Sequence, residues 1–428
     1  MSPLSSYRRL LDLTGPAYVL ISFLGRLPLA MSQLGTLLLV STATGQYALG
    51  GLAAGALAIT SAVGAPLAGA LADRVGQRPV VLAQSLAGGG ALALLVLLVH
   101  LDAQAAALIG AAGLAGLALP QIGPLARVRW RPITAGTGAH QRRLVDAAFS
   151  YEGAADEASF AVGPALVGVG AVVVSPSGAL LLAALLLAVF GSAFALHPTA
   201  RLAAESARTL ATGRLLTLAF AVLALAQLAI GALFGATQTG ATVLATAAGQ
   251  PGAAGLVHAM LGVGSAAAGL ATAFVPERIG QETRVLVAAG ALFLLSLPLL
   301  VADGLTSLTI TVFALGFAVA PYMIGVFTLG ERIVPPGRVG TAMTLLASAT
   351  GLGYALGSSV AGRLADHHGH TAAFAVTVTV TAVAVLLAAS QRSRLRRAAA
   401  GHPRQHPSEG APTDLGGGRP GATETIAV

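Results

Sequence analysis

Twelve apolar runs, at approximately 13–40, 46–71, 79–100, 104–126, 146–174, 178–197, 214–242, 251–275, 284–302, 305–330, 339–364 and 371–390, occupy most of the chain. About 20 helical residues at 1.5 Å each cross a hydrocarbon core of about 30 Å, and each run is long enough to do so. The reading is an all-α membrane protein of twelve transmembrane helices. Of the 428 residues, 55% are hydrophobic and only 9% charged, and the mean hydropathy is +0.81. A soluble protein carries roughly 25% charged residues, so the composition argues against a water-soluble enzyme. The chain has no cysteine, which removes thiol catalysis, disulfides, Cys-ligated zinc and iron–sulfur clusters. No phosphate loop, zinc-protease helix or nucleophile elbow stands in a suitable context. No enzyme activity, cofactor or metal is expected, and His367, His368 and His370 beside Asp366 read as a solvated loop.

The basic residues orient the chain. All 24 are Arg, and 22 of them fall before the first run or after even-numbered runs. Arg363, at the end of the eleventh run, and Arg26, inside the first, are the exceptions. Positive loops stay in the cytoplasm, so both termini are expected inside and the span number even. The +8 net charge is not gathered into a basic face interleaved with aromatics, so nucleic acid is not an expected partner. Arg8 and Arg9 precede the first run as the n-region of a signal peptide would, yet 13–40 far exceeds a 7–15-residue h-region. It reads as a retained first helix.

The chain carries an internal repeat at an offset of 204 residues. Gly45-Gln46 falls on Gly249-Gln250, and Asp73-Arg74-Val75-Gly76-Gln77 on Glu277-Arg278-Ile279-Gly280-Gln281. Six spans per half make the repeats parallel, an arrangement with a cavity between two bundles. The expected organisation is a six-helix bundle at 1–197, a central cytoplasmic loop at 198–213, a second bundle at 214–390 and a disordered tail at 391–428. The longest other loop on the same side is expected at Val128–Val145.

The loop Gly69-Ala70-Leu71-Ala72-Asp73-Arg74-Val75-Gly76-Gln77-Arg78 resembles the signature loop of the major facilitator superfamily between helices two and three. Its glycines permit a tight turn and close helix approach, and its carboxylate suits a positive helix N-terminus. With the repeat and the Arg asymmetry, the resemblance spans about residues 13–390. It implies that Gly69, Asp73, Arg74, Gly76 and Arg78 form a gate closing the cytoplasmic side against the start of helix eleven, near Val339 and Gly340. Gln77 stands where a basic residue is frequent, and the second-half copy is degenerate. Gly163-Pro164-Ala165-Leu166-Val167-Gly168 is similar to the helix-five motif of the superfamily's antiporters, with Gly163, Pro164 and Gly168 expected to kink that helix. Many such antiporters also bury an Arg in helix four, whereas Ala107–Leu125 has none.

Coupling must therefore rest on other charges. Counted from Asp146, Glu157 lies about 16 Å deep and Glu152 about 9 Å, while Arg26 lies about 20 Å past Leu13. An isolated charge at such depth costs at least about 2.5–3.5 kcal/mol, so these residues pair or line a wet cavity. Arg26 is expected to pair with Glu157 or with Asp156, about 100° apart on the helix. The pair serves either as a proton-coupling site with Glu152 or as a structural lock between helices one and five. In the superfamily, helices one, four, seven and ten line the cavity, which makes Gln33, Gln121, Gln227, Gln238 and Tyr322 candidate substrate contacts. Phe23, Met31, Phe234, Phe313, Phe317 and Met323 are candidates for an apolar wall. His258 reads as a hydrogen-bonding residue between helices.

The function implied is proton-coupled efflux of a small organic molecule, a drug or metabolite, by a monomer in a bacterial inner membrane. The alternatives are uptake or facilitated diffusion of a sugar-like solute and a non-transporting sensor or scaffold.

Overall fold

A computed structural model describes residues 3–208, 214–250 and 253–401 of the chain. An amphipathic helix, Pro3–Thr14, precedes the first membrane helix. The first half then contains α1 (Pro16–Thr44), α2 (Tyr47–Val75), α3 (Gln77–His100), α4 in two pieces (Ala105–Ala118 and Ile122–Ile133), α5 (Gln141–Val173) and α6, which runs from Pro176–Leu186 through a π turn to Ser192–Leu196. The second half contains α7 (Leu218–Ala247), α8 (Ala253–Ala271), α9 (Gln281–Ser296), α10 (Leu305–Ile333), and a 63-residue helical stretch, Val339–Gly401.

That last stretch is two helices, α11 (339–368) and α12 (370–401), joined at Gly369, whose φ of 72° and ψ of −168° are open to glycine and strained for other residues. The packing shows the reversal. Gly231 and Gly235 of α7 lie against Thr350 and Tyr354, so α7 and α11 ascend together. Further up α7 the order inverts, with Thr237 against Thr377 and then Gly240 against Phe374. Among the described residues, twelve helical segments are therefore long and apolar enough to cross a membrane.

Local chemistry sets the helix ends. The Ser175 hydroxyl accepts from the Gly178 N–H at 3.0 Å and opens α6 ahead of Pro176, and Thr217 does the same for Phe220 at 3.2 Å in α7. The repeat is also geometric: Gly45 ends α1 with φ 68° and Gly249 follows α7 with φ 72°, both left-handed. Gly76 has φ 94° but its counterpart Gly280 has φ −60°, so the second copy of the signature turn is built differently.

Three sequence expectations need correction. The loop expected at Val128–Val145 is largely helical, because α4 breaks at Leu119-Pro120-Gln121 and resumes to Ile133. Proline disfavours helical dihedrals in the residue before it, and Leu119 is extended, with φ −70° and ψ 117°. The central segment holds a helix, Thr199–Arg208, although 209–213 lie outside the described residues. The tail expected to be disordered from Gln391 stays helical to Gly401, with Arg392 donating to Thr283 of α9 at 2.9 Å; residues 402–428 lie outside the described residues.

Candidate transport site: a buried charge cluster and a sealed face

The cluster grows from α1, α4 and α5, where each helix contributes charge from an otherwise apolar face. Arg26 is 4% exposed, ten residues into α1. Its guanidinium donates to Asp156 at 2.9 Å and to Ser22 at 2.6 Å, and it forms an ion pair with the fully buried Glu152. Asp156 also accepts from Arg127 at 2.7 Å, and Glu152 accepts from the Trp130 indole at 2.6 Å. Arg127 in turn lies 4.4 Å from the ring of Phe327 on α10, a cation–π contact that crosses between the halves. The cluster thus ties three helices of one half to the other half.

Of the two partners open to Arg26, the structure selects Asp156 and adds Glu152. Glu157 is not paired with Arg26. It sits on the seam between α5 and α8, with Ser265 of α8 as its polar neighbour, and has no ion pair among the described residues. The reason is angular: Glu152 and Asp156 are four residues apart and share a helix face, while Glu157 is turned about 100° towards the other half.

Arg127 was missed in the sequence because it was counted into a loop. The second piece of α4 buries it to 1% exposure. Arg129, also buried, donates to Gln77 at 2.9 Å, to the Phe194 carbonyl at 2.9 Å and to Thr199 at 3.0 Å, and stacks 3.5 Å from the Phe194 ring. The signal available in sequence was Trp130 beside Arg127 and Arg129, a large aromatic directly continuing an apolar run. His197 hydrogen-bonds Thr199 at 3.0 Å beside this arginine. Burial, followed by the Arg129 charge, pushes the His197 imidazole down from its ordinary range.

The face bearing the Arg loops is closed by contacts between the halves. Asp73, at the end of α2, caps α11: its carboxylate accepts from the Gly340 N–H at 2.9 Å, the Thr341 N–H at 2.7 Å and the Thr341 hydroxyl at 2.6 Å. Gly69 makes this approach possible, since a Cβ there would run into Thr344 and the Gly340 carbonyl. Arg332 pairs with Asp146 at 2.5 Å, Arg131 with Glu331 at 3.0 Å and Arg143 with Glu277 at 3.5 Å. Arg74 and Arg78 are exposed and make no hydrogen bond or ion pair among the described residues, while Gly76 supplies the left-handed turn after α2.

The remaining site expectations divide. Gln227 is fully buried, accepting from Thr350 at 3.3 Å with its amide nitrogen unpartnered, and Gln238 accepts from Tyr354 at 2.8 Å. Tyr322 is 1% exposed inside the second-half core, its hydroxyl donating to the Ala226 carbonyl at 3.3 Å, so it ties helices together and does not line a cavity. Gln33 is exposed without a hydrogen bond, and Gln121 sits at the break in α4 with a 3.5 Å contact to Ser61. His258 is half-buried and makes no hydrogen bond among the described residues, contrary to its expected role between helices. α5 runs as one helix through Pro164, so the expected kink does not interrupt it; Gly163 packs on Ala30 and Met31, and Gly168 faces open space. Among the described residues no cluster suits a metal ion.

Residues 223–420 match the model of the Major Facilitator Superfamily. The full-length fold agrees with it. The second half of the chain thus matches the superfamily's model, and the chain as a whole has the major facilitator fold. It is similar in structure to the human organic anion transporter MFSD10 (TETRAN), with a TM-score of 0.66 at 21% identity, covering 86% of this chain and 98% of that one. A bacterial homologue of the iron transporter ferroportin in its outward-facing state gives a TM-score of 0.66 at 16% identity over 88% and 98% of the two chains. The proton:xylose symporter XylE, bound to 6-bromo-6-deoxy-D-glucose, gives 0.63 at 14% identity over 86% and 94%. No curated protein matches the sequence. Transporters of an organic anion, a metal and a sugar share this fold, so the fold itself does not select a substrate.

Proposed function

We propose that the protein is a proton-coupled exporter of a small, moderately apolar organic molecule, a drug or metabolite. It would work by rocking of two six-helix bundles, residues 1–197 and 214–390, about a central site. The observation that carries this reading is the charge balance of the cluster. Arg26 and Arg127 supply two positive charges against the three carboxyls of Glu152, Asp156 and Glu157. Fully ionised, the group holds one uncompensated negative charge at membrane depth, which a single proton neutralises. Glu157 is the carboxyl without a cation, and it faces Ser265 across the seam where the halves move relative to one another. Separation of α5 from α8 would wet it and release the proton, while closure would favour uptake.

The Arg asymmetry supports placing the sealed face and both termini in the cytoplasm, in a bacterial type of plasma membrane. The arrangement described is then the one closed to the cytoplasm, with the Asp73 cap and the three ion pairs as its lock. Gln238 with Tyr354, both only partly buried, offers neutral hydrogen-bonding groups in the second half, suited to an uncharged or weakly charged solute. The same groups would suit a sugar-like solute taken up or passed by facilitated diffusion, and the test separates the two.

The experiment uses inside-out vesicles with an imposed proton gradient and a panel of drugs, metabolites and sugars. Proton-coupled export predicts compound-triggered dissipation of the gradient that is lost in Glu157→Gln. Compound flux independent of pH in both proteins would assign the chain to facilitated diffusion and refute the coupling.

A further inference from the structure

Two cavities lie end to end on the seam between α5 and α8, on the side of the Arg loops. The one nearer the surface, about 290 Å³, is polar and is lined by Ser6, Arg143, Asp146, Thr272, Glu277 and Arg284 among others. The one deeper in the membrane, about 390 Å³, is an apolar groove between Leu20 and Phe23 of α1, Ala154 and Ala158 of α5, and Ala266 and Leu270 of α8. Neighbouring turns of α5, at Ala147 and Tyr151, join the two.

The amphipathic helix Pro3–Thr14 forms the lip between them. It buries Ser6 and Leu10, exposes Leu4 and Leu11, and carries Arg8 and Arg9 on its exposed face, the pattern of a helix lying in a membrane surface. Its Tyr7 hydroxyl donates to the Leu270 carbonyl at 2.9 Å, and burial pushes that phenol up to about 12, so it remains a donor.

Charge decides what occupies such a pair of cavities. Asp146 and Glu277 are engaged by Arg332 and Arg143. The Arg284 guanidinium donates to three carbonyls, those of Ile279, Val275 and Pro276 at 3.0–3.3 Å, and has no carboxylate partner among the described residues. Arg8, Arg9 and Arg142 likewise have no ion pair, against Asp12 as the one acid of the lip. Asp146 and Glu277 act on the Arg284 charge across the cavity but are themselves engaged by Arg332 and Arg143, so the surplus positive charge lies with Arg8, Arg9 and Arg142 at the rim and favours an anion there.

A polar, cationic pocket at the surface and an apolar groove running into the bilayer match one amphiphile. We propose that an anionic phospholipid of the leaflet on the Arg side binds along the α5–α8 seam, with its headgroup at Arg284 and Arg143, Arg8 and Arg9 at the rim, and one acyl chain in the groove. Basic pockets between membrane helices select such headgroups. The lipid touches α1 and α5 of one half and α8 of the other, so it stabilises the arrangement in which these helices are packed together.

The test places a reporter in the groove by Phe23→Trp and measures fluorescence quenching by brominated-chain phosphatidylglycerol and brominated-chain phosphatidylcholine in mixed vesicles. The chain's single tryptophan, Trp130, is 1% exposed and adds a constant background. Phosphatidylglycerol should bind several-fold more tightly at this position and show no preference at Leu185→Trp, on the lipid-facing side of α6. The preference should fall in Arg284→Gln and in the double variant Arg8→Gln with Arg9→Gln, whose exposed side chains leave the packing untouched. Equal quenching by the two lipids at Phe23→Trp, or a preference unchanged in both Arg variants, would overturn the proposal.

Discussion

The two halves share a backbone plan and differ in what they bury. The first half encloses Arg26, Arg127, Arg129, Glu152 and Glu157, with Asp156 nearly so. The second half, among the described residues, buries one charged side chain, Glu331, and that residue meets Arg131 of the first half at the sealed face. Its interior polar contacts are neutral: Gln227 with Thr350, Gln238 with Tyr354, Thr237 with Thr377 and Ser296 with Thr381. The signature loops differ in the same way. Asp73 caps the first turn of α11 with three hydrogen bonds, while its counterpart Glu277 reaches the start of α5 only as a half-exposed ion pair with Arg143. A duplicated scaffold has thus been divided into a half that handles charge and a half that offers neutral hydrogen bonds.

The largest test of this contrast is Asp156→Asn. It leaves Arg127 without an acid and Arg26 with one acid only, and breaking a buried pair costs about 3–5 kcal/mol. Thermal unfolding in detergent should show a large fall in midpoint. Gln227→Leu, a change at a fully buried position in the second half, should alter stability by about 1 kcal/mol or less, because its amide nitrogen already lacks a partner. Equal costs at the two positions would erase the distinction.

The gate gives an intermediate effect. Asp73→Ala removes a cap worth about 1–2 kcal/mol, and the sealed face should open about tenfold more often. Glu277→Gln removes a partly exposed pair worth about 1 kcal/mol at most. The chain has no native cysteine, so modification rates of a cysteine introduced at Thr344 read the opening of the face without background.

The smallest effect concerns His197. Its folded form disfavours the proton relative to the unfolded chain, so the unfolded state takes up a proton first as pH falls through about 6.5. Stability from this group is complete above that range and declines below it. The thermal midpoint of the wild type should fall from pH 7.5 to pH 5.5 by slightly more than that of His197→Gln, with no difference at the upper end.

Much of this was legible in the sequence because a membrane imposes few solutions. Apolar length fixes the spans, and the Gly45/Gly249 pair marks the repeat as two left-handed turns. Asp73 was legible through the resemblance of Gly69–Arg78 to the superfamily's signature loop, which implied a contact with the start of α11. Arg127 and Arg129 were not, since a charge at a helix end reads as a loop until its partners are known, and these partners lie 29 to 70 residues away. The choice between Asp156 and Glu157 failed for a related reason: depth along a helix follows from counting, but which face meets α1 depends on tertiary packing. Tyr322 shows the converse, a polar residue on a cavity-lining helix that points into its own bundle.

The central claim is that the cluster holds one more acid than base and therefore binds a proton at Glu157. Infrared difference spectroscopy on the protein in lipid at neutral pH, wild type against Glu157→Gln, tests it without knowledge of the substrate. A protonated-carboxyl band present in the wild type and absent from the variant is the predicted result. A wild-type spectrum without that band, or one that keeps it in Glu157→Gln, would contradict the account.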